Sequence, residues 1–371
     1  MTVPQTTPPT TATTPSLAQQ SLSRGDLGTA LLWAARPDGT AQSQALQRAA
    51  RAAMPLLDGP HAGIFLGAPA LTFVLHIAGW KGAGMDRLDA VVAAHVRGRL
   101  AAAHDRIDAR QPAAFAEYDL MHGLAGVGTL LLARSTDLET TKALLTYLVR
   151  LTDPLSSSAG NTGPGWWVWH QHSAPDRPGA HANAGLAHGI TGPLAVLALA
   201  IRRNVRVPGD LDAIGRVLDW LDDNRHPDGG WARWTDDHDT GPRAPSWCYG
   251  TPGIARAQQL AAIVTGDATR KQAAEKGLLE CLADSARLDA LTGSGLCHGP
   301  AGTLQVVRRV ADDADDPGSF EPLLTELTNR LRSVPEPRQP GLLEGLPGVR
   351  LVLDHPPAPH AFGWDACLGI A

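Results

Sequence analysis

Gly123-Leu-Ala-Gly126-Val-Gly-Thr-Leu-Leu-Leu-Ala133 sets two glycines three residues apart in front of an uncharged, leucine-rich run. The arrangement recurs as Gly25 and Gly28 before TALLWAA, Gly189 and Gly192 before PLAVLALA, and Gly250 and Gly253 before IARAQQLA. Two more copies are Gly299 and Gly302 before TLQVVRRVA, and Gly345 and Gly348 before VRLVLDH. A degenerate copy, Gly67 and Ala70 before LTFVLHIA, makes seven, with gaps of 42, 56, 66, 61, 49 and 46 residues. A period of this size marks a repeat architecture. The runs are rich in Ala and Leu with little charge, so they read as helices buried on nearly every side. A Gly before each suits a tight turn or a close backbone approach.

Between the copies lie amphipathic stretches at 41–57, 85–106, 137–152, 209–223, 266–284 and 317–333. In 209–223, Leu211, Ile214, Val217, Leu218 and Leu221 fall at helical spacing with Asp and Arg opposite, the pattern of a surface helix. Pro208-Gly209 and Pro317-Gly318 mark joints. The unit is therefore an outer amphipathic helix followed by an inner buried one. Seven such units most simply close into an all-α, double-layered ring, an α/α toroid, because closure covers the ends that an open solenoid leaves bare. Six outer helices are evident; the seventh has only the short stretch around Ser16–Ser23.

The chain has 371 residues, 43% hydrophobic and 19% charged, enough to bury a sizeable core. Its net charge of -5, with no basic block, argues against a nucleic-acid partner. No apolar run reaches the length of about 20 residues that a membrane span needs. Residues 1–15 are rich in Thr and Pro and are expected to form a disordered tail, with 16–371 as one domain. Four cysteines, Cys248, Cys281, Cys297 and Cys367, are too few for a disulfide framework and fit a reducing, cytoplasmic setting. Two segments break the repeat: Gly163–His181, with Trp166, Trp167 and Trp169, and His226–Ser246, with Trp231 and Trp234. They either cap the ring or bind something, since long ordered loops are often functional.

The repeat also aligns the polar residues. Immediately before the first Gly of each copy stand Arg24, Leu66, His122, His188, Tyr249, His298 and Glu344, and one residue earlier copies five and six carry Cys248 and Cys297. Equivalent levels of a ring face one end, and neighbouring helices pack about 8–10 Å apart, so Cys248, Cys297 and His298 can meet at one ion. Two thiolates and an imidazole suit zinc, with a fourth position left open. The alternative is that these cysteines are small buried hydrophobes. His122 and His188 can equally be satisfied core histidines, Asp119 a helix cap, and Arg243 a solvated loop residue. Cys281 and Cys367 lie off this register and receive no role.

The strings Ser246-Trp-Cys-Tyr-Gly-Thr-Pro-Gly253, Leu296-Cys-His-Gly299 and Gly185-Leu-Ala-His-Gly189, with Trp166-Trp167, Tyr118-Asp119 and Trp364-Asp365, resemble the signatures of lanthipeptide cyclases. The similarity runs from about Gly25 to the end and is to the stand-alone, class I type rather than to fused enzymes. The resemblance implies an α/α toroid with one zinc on Cys248, Cys297 and His298, a catalytic His at His188, an Asp at Asp119, an Arg at Arg243 and a Tyr at Tyr249. It carries no role for His122. It further implies a dehydrated precursor peptide as substrate, whose Cys thiols add to dehydroalanine or dehydrobutyrine, with a dehydratase and a transporter as further partners and as a route to membrane association. Three rivals remain open: addition of glutathione or another small thiol to dehydrated proteins, a non-catalytic zinc scaffold, and a glycan-processing toroid. The last requires paired carboxylates, for which only Asp119 and Glu344 stand near the level.

Overall fold

In the computed structural model, which describes residues 17–36, 39–52, 54, 56, 57, 59, 61–156, 162–169, 180–225 and 244–371, every Gly-containing motif opens a helix. The seven are Asp26–Ala34, Ala68–Ile77, Leu124–Arg134, Thr191–Arg202, Thr251–Thr265, Pro300–Asp313 and Leu346–Asp354. All ten residues from Leu124 to Ala133 are buried, as are the ten from Thr191 to Ala200, so these helices form the inner layer. In units five to seven a proline in the first turn, Pro252, Pro300 or Pro347, pre-sets the backbone where its missing N–H costs nothing.

The second Gly of the motif is needed for close approach. A Cβ at Gly126 would lie 2.0 Å from the Leu120 carbonyl oxygen, and one at Gly302 1.8 Å from that of Leu296. In units three to seven the inner helix thus starts pressed onto the backbone of the turn that leads into it, whereas Gly28 of unit one meets the backbone of Pro340, Gly341 and Leu342 in unit seven. The degenerate copy differs, with Gly67 at φ 76, a conformation that glycine adopts without strain.

The outer helices are Gly39–Ala52, Ala83–Asp108, Leu138–Leu151, Asp210–Asp223, Ala268–Ala283 and Glu321–Ser333, the last entered through a 3-10 turn at Pro317–Phe320. The seventh outer position holds only the four-residue helix Leu17–Gln20. Each inner helix packs against the next, and Leu346–Asp354 packs against Asp26–Ala34, which closes the ring. The fold is an α/α toroid. Apart from isolated bridges, the strands among the described residues are two minimal antiparallel pairs in and just before the first aromatic segment: Leu155–Ser156 with Thr162–Gly163, and Val168–Trp169 with Ala180–His181. Within that segment Trp166 is buried against Trp220, and its carbonyl accepts from Tyr118 Oη, so part of it is core. The expected tail at 1–15 and the second aromatic segment up to Arg243 lie outside the described residues. No helix among the described residues is long and apolar enough to cross a membrane.

The residue three places before the first Gly is fully buried in every unit: Leu22, Ile64, Leu120, Leu186, Trp247, Leu296 and Leu342 are each 0% exposed. These side chains form a hydrophobic hub, each contributing about 1.5–3 kcal/mol by leaving water. The axis beneath them is filled by Trp364–Ala371. Trp247 Nε1 donates to Leu368 O at 3.0 Å, and Gly369 lies against Leu120. Asp365 anchors this plug through Arg309 (Nε and Nη2, both 2.7 Å) and Gln305 (2.7 Å), with neither ion-pair partner more than 2% exposed. Cys367 is part of the plug, fully buried, and Cys281 is buried in the last turn of the outer helix Ala268–Ala283. Burial raises both thiols.

Candidate functional site

The turns before the inner helices are tied together by backbone hydrogen bonds from unit to unit. Leu22 N donates to Phe65 O (2.9 Å), Leu120 N to Ala187 O (3.0 Å), Ala187 N to Cys248 O (3.1 Å), Leu296 N to Leu343 O (2.6 Å) and Leu342 N to Leu22 O (2.9 Å). Two junctions are bridged by side chains instead: between units two and three Arg99 of an outer helix donates to Ala62 O (3.4 Å) and His122 O (2.6 Å), and between units five and six Thr303 Oγ1 donates to Pro245 O (2.6 Å). All seven inner helices therefore begin at one end of the ring. Their N-termini point positive partial charge at that end, which favours thiolates and carboxylates there. The level just before the first Gly is half-buried to exposed, as at His122, His188, Tyr249, His298 and Glu344, so it lines an open mouth above the hydrophobic hub.

Two groups of side chains with converging ligand atoms stand on this mouth among the described residues. The first straddles units five and six. Cys248 Sγ lies 3.1 Å from His298 Nδ1, and the ligand atoms of Cys248, Cys297 and His298 all fall within 4.8 Å of one another. Tetrahedral zinc with Zn–S of about 2.3 Å and Zn–N of about 2.0 Å sets its ligands about 3.5 Å apart, so this donor set fits such an ion with little movement. Cys248 is held as a thiolate, its pKa lowered to about 5, chiefly by the Cys297 thiol and then by His298, against the effect of burial. The same pairing, with burial, drives the Cys297 thiol up. Glu344 of unit seven stands beside Cys297. Burial raises its carboxyl, and its Oε1 is buried with no hydrogen-bond partner.

The second group straddles units three and four. Asp119 is 0% exposed. Its Oδ1 accepts from the backbone N–H groups of His122 (2.7 Å) and Gly123 (2.8 Å), while its Oδ2 accepts from His188 Nδ1 (2.7 Å) and lies 3.6 Å from His122 Nδ1. Burial alone would raise the Asp119 carboxyl, but the hydrogen bonds from His122 and His188 outweigh it and hold the group below the usual carboxylate range. The same contact raises His122. The cap role expected of Asp119 and a role in orienting His188 are thus divided between its two oxygens. His188 is further packed by rings on both sides: His122 at 5.8 Å and 25°, Tyr249 at 5.8 Å and 26°. Tyr249 can lie there because Gly185 presents bare backbone; a Cβ at that position would meet the Tyr249 ring at 2.6 Å.

Of the residues expected from the sequence, Cys248, Cys297 and His298 come together, Asp119 meets His188, and Tyr249 stacks on His188. Arg243 lies outside the described residues. Asp119 and Glu344, the carboxylates that a glycan-processing toroid would pair, belong to different groups. His122, given no role from sequence, shares the Asp119 oxygen with His188.

The sequence model of the family described as lanthionine synthetase C-like protein matches residues 16–368. Among solved structures the chain is similar to one named "Nisin cyclase", at 17% sequence identity and a TM-score of 0.79 over 96% of this chain and 93% of that chain, a likeness of fold. Comparison with curated proteins finds no match.

Proposed function

Since the chain belongs to the lanthionine synthetase C-like family, we propose that it is a zinc-dependent cyclase that adds Cys thiols of a dehydrated precursor peptide to its dehydroalanine or dehydrobutyrine residues, forming thioether rings. The observation that carries this reading is that a two-thiolate, one-imidazole set and a carboxylate-oriented imidazole occupy the same level of one mouth. Cys248, Cys297 and His298 hold the zinc, which when bound supplies a Lewis acid that favours the thiolate form of the substrate sulfur. With the ion bound, Cys297 as well as Cys248 would be deprotonated, and their negative charge would keep that sulfur electron-rich.

Attack at the β-carbon forms the C–S bond and moves the alkene pair onto the carbonyl as an enolate. The α-carbon then takes a proton, so the thiol hydrogen is balanced by the new C–H. His188 moves that proton: its Nδ1 is fixed by Asp119, which leaves Nε2 for transfer. Tyr249, stacked on His188, and Arg243 are the donors for the enolate oxygen. The hydrophobic hub and axial plug exclude water from below, so the mouth is the route for peptide.

The test is direct. Zinc-loaded protein is incubated with a dehydrated peptide carrying free cysteines, with glutathione as competitor, and the remaining thiols are counted by alkylation and mass spectrometry. The peptide thiols are expected to disappear without a change in peptide mass. Addition of glutathione alone would favour the small-thiol reading, and intact thiols in zinc-loaded protein would overturn the cyclase reading.

A further inference from the structure

We propose that Asp119, His122 and His188 form a second metal site, which takes an exchangeable divalent transition ion of the class of Zn2+, Co2+ or Ni2+, and that an ion held there shuts off the acid–base pair. The metal-binding part stands on geometry alone; the inhibitory part rests on the proposed role of His188.

Asp119 Oδ2 lies 2.7 Å from His188 Nδ1 and 3.6 Å from His122 Nδ1, with all three ligand atoms within 4.8 Å of one another. Two atoms that share an ion at about 2.0–2.2 Å each are at most about 4.3 Å apart, so closure needs only a small turn of an imidazole. The carboxylate cannot swing away, because Oδ1 is fixed by the N–H groups of His122 and Gly123. Arg99 holds the same turn from behind through the carbonyl of His122. One imidazole is enough to make an oriented dyad. The second, nearly parallel to the first and aimed at the same oxygen, completes a two-histidine, one-carboxylate set with open positions.

Access is available, since the His122 side chain is 54% exposed and that of His188 28%. This site is harder in character than the two-thiolate site, so soft and borderline ions fill the thiolate site first. An ion on His188 Nδ1 takes the lone pair that the Asp119 hydrogen bond requires to carry a proton. That removes the orientation on which proton transfer depends.

The experiment is a Co2+ titration of the metal-free chain, with metal content measured in parallel. The first equivalent is expected to bring near-ultraviolet thiolate charge transfer. The second should bring weaker visible bands with no added charge transfer, for two ions per chain. His122→Ala should keep the first signal and lose the second; Cys297→Ala should do the reverse. Cyclisation by wild type should fall at least ten-fold between one and two equivalents, while His122→Ala should show no such fall relative to its own rate at one. A single ion per chain in excess metal, or a second ion that survives both His122→Ala and His122→Gln, overturns the site. Two ions with undiminished cyclisation would uphold the site and overturn its inhibitory consequence. A missing thiolate signal in wild type would instead count against the cyclase reading, because the two sites report at different wavelengths.

Discussion

The two clusters on the mouth are built alike and carry different chemistry. Each joins the pre-helix turns of adjacent units, one at units five and six and the other at units three and four. In the first, the place two residues before the Gly holds Cys248 and Cys297; in the second, the same place holds Met121 and Ala187. The acid of the second comes from four residues before the Gly, where the other six units carry Ser21, Gly63, Gly185, Ser246, Gly295 and Gly341 and unit three alone has Asp119. The ring thus supplies positions, and single substitutions at fixed register decide between a thiolate set that suits a metal and a carboxylate–imidazole set that suits proton transfer.

The sharpest way to break this division is Cys297→Ala. It leaves one thiolate and one imidazole, so zinc content of the thiolate site should fall from one per chain to none and ring formation should be lost. Retention of both would show that the cluster is not the metal centre. His188→Ala comes next. Zinc at the thiolate site should be retained while turnover drops by about 10²–10⁴, the usual contribution of a positioned acid–base group. A wild-type rate, measured by the same thiol count, would remove proton transfer from the second cluster.

The smallest effect concerns stability. The Asp119 carboxyl is held below its ordinary value, so it contributes stability that is fully present above about pH 4 and is lost as pH falls through its lower folded value. Asp119→Asn should destabilise the chain by about 1.5–3 kcal/mol at neutral pH, the worth of hydrogen bonds to a charged group. That difference should narrow below pH ~4 in denaturant melts taken across pH. A difference independent of pH would mean that Asp119 acts as a neutral cap, and the comparison between the clusters would lose its electrostatic half.

Much of this was legible in the chain. The Gly spacing and the uncharged runs gave the seven inner helices to within a few residues, because helix starts and close backbone contacts are local demands that each unit meets in the same way. The register also gave the level on which Cys248, Cys297 and His298 converge. Two further signals lie in the same repeat register. Position three before the Gly is large and apolar in all seven units, which marks the hub. Position four is Gly or Ser except at Asp119, which marks that residue as more than a cap.

What the sequence determined by itself was therefore the repeat: which segments are helical, which face of each is buried, and which residues share a level of the ring. Only the tertiary structure decided the rest. It closed Leu346–Asp354 onto Asp26–Ala34, drove Trp364–Ala371 into the axis under Trp247, and set His122 and His188 on one oxygen of Asp119. These are contacts between segments far apart in the chain, and no local periodicity encodes them. They follow from the geometry of closure, which leaves an axial hole that only buried apolar side chains can fill and fixes which neighbouring turns face each other.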